Sequence, residues 1–173
     1  MSKISKSDER LLDERISANQ VEYPQTVLRA VGFVTAFLPV YFAHAVLSLE
    51  WTAISNLPLV LGVPIVSAEM LSRAYGISLE SEFWRRHTHY SESKSIDDKL
   101  LRNLRLQAAT SHALFFINLL FLAVSTLLQV YIFRNVDARA GLLLASCLSA
   151  AFSWMLAQSN EESRKRRLRV GRK

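Results

Sequence analysis

Recognisable catalytic combinations are scarce in this chain of 173 residues. A single cysteine, Cys147, has no partner for an intrachain disulfide and says nothing about redox compartment. Glycine-rich phosphate loops, nucleophile motifs and cysteine pairs are lacking, so nucleotide chemistry and covalent catalysis have no basis in the sequence. His87-Thr88-His89 is a bare H-x-H without carboxylate or cysteine at ligand spacing, a weak metal signal. No Gly/Ser-rich linker or internal repeat divides the chain.

The most informative lack is of charge. Residues 30–49, 52–68, 113–133 and 140–158 hold no Lys, Arg, Asp or Glu, giving runs of 20, 17, 21 and 19 residues. Yet 21% of the chain is charged and 50% apolar. A soluble domain interleaves these classes, and four such runs exclude one of this size. A bilayer core of about 30 Å takes about 20 helical residues. It offers backbone groups no water, so the runs must be helices. Segments such as LLFLAVSTLLQVYIF are apolar on every face, unlike the alternating strands of a barrel. The expected fold is therefore an all-α integral membrane protein, four transmembrane helices as two helical hairpins with a cytosolic helical loop. Its segments are an N-terminal stretch 1–29, a first hairpin 30–71, a basic loop 72–112, a second hairpin 113–158 and a polybasic tail 159–173. Trp51, Met70 and Leu71 extend the short second run, and Pro39, Pro58 and Pro64 each remove a backbone donor within a span.

Nineteen of the 21 basic residues fall on one side of a four-fold crossing; only Arg134 and Arg139 fall on the other. The positive-inside rule then places both termini and the central loop in the cytosol. The N-terminus lacks an apolar signal core, so span one is expected to act as an uncleaved insertion signal.

Within the polar parts, Ser7 to Ile16 reads as a short helix with an apolar stripe of Leu11, Leu12 and Ile16. Ser95 is a candidate cap for a second helix running unbroken into span three, with Leu100, Leu104 and Gln107 on one face. Phe83-Trp84-Arg85-Arg86-His87 suits either an interfacial belt or phosphate contacts. The tail from Ser163 to Lys173 packs seven cations into eleven residues, a pattern for anionic lipid, RNA phosphate or simple topological anchoring. His44 is expected as a buried hydrogen-bonding residue in span one. The absence of acid or base inside any span disfavours ion-coupled transport. Ser125, Thr126, Gln129, Ser146, Ser149 and Ser153 suit helix–helix packing.

Ala108-Ala109-Thr110-Ser111, Phe115 to Leu122 and Tyr131-Ile132-Phe133-Arg134-Asn135 lead into a Leu/Ser/Ala-rich last span. With Asp8-Glu9-Arg10-Leu11-Leu12 and the stretch from Phe33 to Pro39, this arrangement resembles the gamma subunit of the translocon-associated protein (TRAP) complex, the signal sequence receptor. That resemblance implies a non-enzymatic four-span protein of the endoplasmic reticulum membrane, without cofactor or small-molecule substrate. Its partners would be the bilayer, the other TRAP subunits, the Sec protein-conducting channel and the ribosome, met through rRNA or a large-subunit protein. By position the contact candidates are Arg85, Arg86, Lys94, Lys99, Arg102 and Arg105. The tail adds Arg164, Lys165, Arg166, Arg167, Arg169, Arg172 and Lys173. The central loop is shorter and less lysine-rich than the family's, and the basic tail is a departure from it. The alternative readings are an accessory subunit of a mitochondrial respiratory or ATP-synthase complex, in the inner membrane, and a hairpin that wedges tubular membrane.

Overall fold

The computed structural model describes residues 25–89 and 98–170, with side chains over 25–86 and 100–164. All regular structure among them is helical: α1 (Gln25–Leu47), a 3₁₀ turn (Ile54–Asn56), α2 (Leu57–His89), α3 (Asp98–Leu127) with a π turn (Leu128–Ile132), and α4 (Ala138–Val170). Four helices are long and apolar enough to cross a membrane. Their outer faces carry Val34, Tyr41, Ile65, Phe115 and Met155 in the open, side chains that in water would oppose folding but in lipid are at home. This is the construction of a helical membrane protein.

The chain runs up and down. At one end the two tight turns meet, where Arg139 donates to the Ser55 hydroxyl at 3.4 Å. A Cβ on Gly141 would lie 3.2 Å from a Leu47 methyl at the same end. At the other end, called here the charged end, Arg29 on α1 faces Glu69 on α2, and Glu82 on α2 faces His112 on α3. At about 1.5 Å per residue, the 23 residues of α1 measure about 35 Å and the 33 of α2 and of α4 about 50 Å. Thus α2, α3 and α4 continue past the charge-free runs as a three-helix extension.

Packing follows side-chain size. In α4 the buried positions Gly141, Ala145, Ser149, Ser153 and Ala157 repeat every four residues, a small-residue ridge. Without a hydrophobic drive between helices in lipid, such ridges allow the close van der Waals approach that holds them. In α2 the buried row is the larger Leu71, Tyr75, Leu79 and Phe83, also four apart, and α2 with α4 forms the most extensive helix pair. In α3 the buried row is Ala109, Ala113, Ile117, Phe121, Ser125 and Gln129. Of the six small and polar positions expected at helix contacts, all but the half-buried Thr126 are fully buried.

Three local readings need correction. Pro58 is the second residue of α2, a position whose N–H lies outside the helical ladder, so it costs no bond. Pro39 and Pro64 do lie inside helices. His44 is exposed rather than buried, because α1 ends three residues later at Leu47. There its Nδ1–H donates to the Leu49 carbonyl at 2.8 Å and its ring stacks on Trp51. Trp51 accordingly belongs to the turn and does not extend the second helix, whose α portion starts at Leu57. Ser48, with φ of 55°, supplies the left-handed residue that closes α1.

Candidate functional site

Where it is described, the central polar stretch is helical. Residues 72–89 prolong α2 and residues 98–112 open α3, so the expected unbroken run into span three holds from Asp98. The cap at Ser95, the helix at 7–16 and the Asp8–Leu12 segment lie outside the described residues. On α3, Leu100, Leu104 and Gln107 share one exposed face, and Leu101 and Leu106 are half-buried.

The predicted contact residues divide among three helices at the charged end. Arg85 and Arg86 sit in the last turns of α2, Arg102 and Arg105 near the start of α3, and Arg164 toward the end of α4. The backbone at Lys99, Lys165, Arg166, Arg167 and Arg169 is helical, with side chains outside the described set. Lys94, Arg172 and Lys173 lie outside it altogether.

These cations are not a bare patch. Glu82, with its side chain only 13% exposed, accepts from Arg85 at 2.8 Å, lies 3.8 Å from the Arg86 Nε, and faces the His112 ring at 4.0 Å. His112 in turn stacks on Phe116 one helical turn along. Arg102, Arg105, Glu161 and Glu162 are each engaged as well. A polyanion arriving here must therefore compete with internal acids. The Arg85 side of the pairing is 61% exposed, so solvent screens it and a denser array of phosphates can draw that guanidinium away.

A second charged cluster escaped the sequence reading. Glu69, the first acid after the second charge-free run, holds the Arg73 Nε at 3.3 Å and the Arg29 Nε at 3.8 Å. The signal was position: Arg29 closes the polar stretch before span one, and Glu69 opens the one after span two. What the sequence did not carry was which helix faces meet.

Deeper in the bundle, the Tyr75 hydroxyl donates to the Asn118 side-chain carbonyl, joining α2 to α3. The Gln129 Nε2 donates to the Pro39 carbonyl at 3.2 Å, joining the π turn to α1. These are connections between helices, with no charge at depth. No known protein family matches the chain, and no curated protein is significantly similar to it.

Proposed function

We propose that this protein is a non-enzymatic subunit of the translocon-associated complex of the endoplasmic reticulum, bridging ribosome and Sec channel to assist co-translational translocation and membrane insertion. The observation that carries the reading is the charged end. Three helices leave the apolar layer together there and present Arg85, Arg86, Arg102, Arg105 and Arg164. The resemblance of the second hairpin and of the Asp8–Leu12 segment to the gamma subunit supplies the finer identity. In this reading the cations lie on the cytosolic face, and the 48–56 and 133–137 turns face the lumen.

Phosphate contacts set a salt dependence whose log–log slope is about −0.7 per contact on single-stranded RNA and about −0.9 on a duplex. Ribosome co-sedimentation of rough microsomal protein should fall steeply with salt, and Arg102→Gln with Arg105→Gln should flatten that slope. Crosslinking from the 90–105 segment in rough microsomes should recover large-subunit protein or rRNA. Recovery of respiratory or ATP-synthase subunits alone would sink the proposal in favour of the mitochondrial one.

A further inference from the structure

A cavity of about 500 Å³ opens between α1, α2 and α4 at the charged end. Its wall includes Arg29 from α1, Glu69, Arg73, Gly76 and Glu80 from α2, and Trp154 from α4. Its depth follows from the sequence. Arg29 directly precedes the first charge-free run, Glu69 directly follows the second, and Trp154 lies seven residues before Glu161, the first charge after the fourth. Three independent boundaries coincide at this void, which places it at headgroup level. Tryptophan favours that level in membrane proteins generally.

The chemistry of the wall is specific. Arg29 and Arg73 each turn their Nε toward the shared Glu69 carboxylate. Their Nη groups have no other partner among the described residues, and both side chains are more than 60% exposed. Two guanidinium groups drawn to one carboxylate, with their Nη ends turned outward, offer a phosphodiester paired N–H donors in a fork geometry. Seven residues farther out along α2 stands Glu80, exposed, with no cation paired to it among the described residues. Side chains on a helix tilt toward its N-terminus, so Glu80 leans back from the aqueous end toward the two guanidinium groups. Gly76 lies one turn before it and sends no side chain into the gap. Two cations and two acids make the site neutral as a whole, so an anionic headgroup gains no net attraction there.

We infer that this cavity binds an aminoethyl phosphate group, its phosphate on Arg29 and Arg73 and its primary ammonium at Glu80, as carried by phosphatidylethanolamine in the leaflet at the charged end. A choline headgroup fits less well because its quaternary nitrogen has no hydrogen to donate to a carboxylate. A glycerol headgroup leaves Glu80 facing a negative ligand.

The test uses the full chain, purified and delipidated, with dioleoyl phosphatidylethanolamine, phosphatidylcholine or phosphatidylglycerol added back and retention read by native mass spectrometry. Phosphatidylethanolamine should be retained about tenfold over phosphatidylglycerol, the ratio expected from one charge-assisted hydrogen bond. Arg29→Gln with Arg73→Gln should remove about tenfold of that retention, whereas Arg134→Gln with Arg139→Gln at the opposite end, an equal loss of charge, should not. Arg73→Lys keeps the charge without the fork and should fall between them, which separates lost binding from lost folding. Glu80→Gln should abolish the preference for ethanolamine over glycerol. Soluble phosphoethanolamine forms the second arm: competition by it at millimolar concentration identifies a free ester as a ligand of the same site, and failure to compete identifies the lipid. Equal retention of all three lipids by the wild type, or unchanged phosphatidylethanolamine retention in the double variant, overturns the assignment. None of these outcomes depends on the ribosome.

Discussion

Gln129 reaches across 90 residues of sequence to donate to the carbonyl of Pro39 at 3.2 Å, tying the π turn of α3 to the proline-bearing turn of α1. The Gln129 Oε1 has no partner among the described residues. Interhelical hydrogen bonds in membranes are worth about 0.6 kcal/mol on average and at most about 1.7. Gln129→Leu removes both the bond and the orphaned oxygen while keeping the volume. It should therefore cost less than about 1 kcal/mol, read as the shift of an unfolding midpoint in mixed micelles. Gln129→Ala adds a void and should cost distinctly more. Equal effects from the two would mean that the bond, and not the filling of space, holds this crossing.

Tyr75 is fully buried and bonded to Asn118, and it sits in the same cluster as Leu71, Ile117 and Phe121. Tyr75→Phe should cost about 0.6 to 1.7 kcal/mol, because only the bond is lost. Tyr75→Ala should cost about 3–5 kcal/mol, the usual range for emptying an aromatic site. The comparison is read on the same unfolding titration.

The glycines differ in a way that alanine substitution should expose. A Cβ on Gly32 would meet the Ala68 carbonyl oxygen at 3.1 Å, a backbone atom with little room to retreat. On Gly141 it would meet a Leu47 methyl at 3.2 Å, which a rotamer change relieves, and on Gly62 nothing within 4 Å. Gly62→Ala should stabilise by up to about 1 kcal/mol through helix propensity. Gly141→Ala should be near neutral and Gly32→Ala destabilising, an order measurable by thermal aggregation in detergent.

Topology is open to direct labelling. Cys147 is the lone cysteine, so a Cys147→Ser background is silent to thiol reagents. Asn135→Cys in the second tight turn and Leu100→Cys on the exposed face of α3 should label from opposite sides of sealed microsomes. Labelling from the same side would mean that the four helices do not all cross.

The helical content of the fold was legible because charge and apolarity are so fully separated, and the unbroken α3 was readable from its cations flanking an apolar run. The outward extension of α2 was less visible. Its i, i+4 row of Leu71, Tyr75, Leu79 and Phe83 was present in the sequence but interrupted the eye with Arg73, Glu80 and Glu82, which a helix simply turns to other faces. His44 was misread because one residue of left-handed backbone at Ser48 decides where α1 ends, and a serine does not announce that conformation. The Arg29–Glu69–Arg73 cluster was hidden for a different reason: its members come from two helices, and apolar runs do not specify which faces pair.

The continuity of α3 has a mechanical consequence. From Asp98 to Leu127 neither proline nor glycine interrupts it, and its single irregularity, the π turn, lies at the far end beside α1. Such a rod tilts as one piece. A sideways push on its charged tip is delivered as torque at the Gln129–Pro39 crossing, so the membrane-buried end registers a load applied well outside the bilayer.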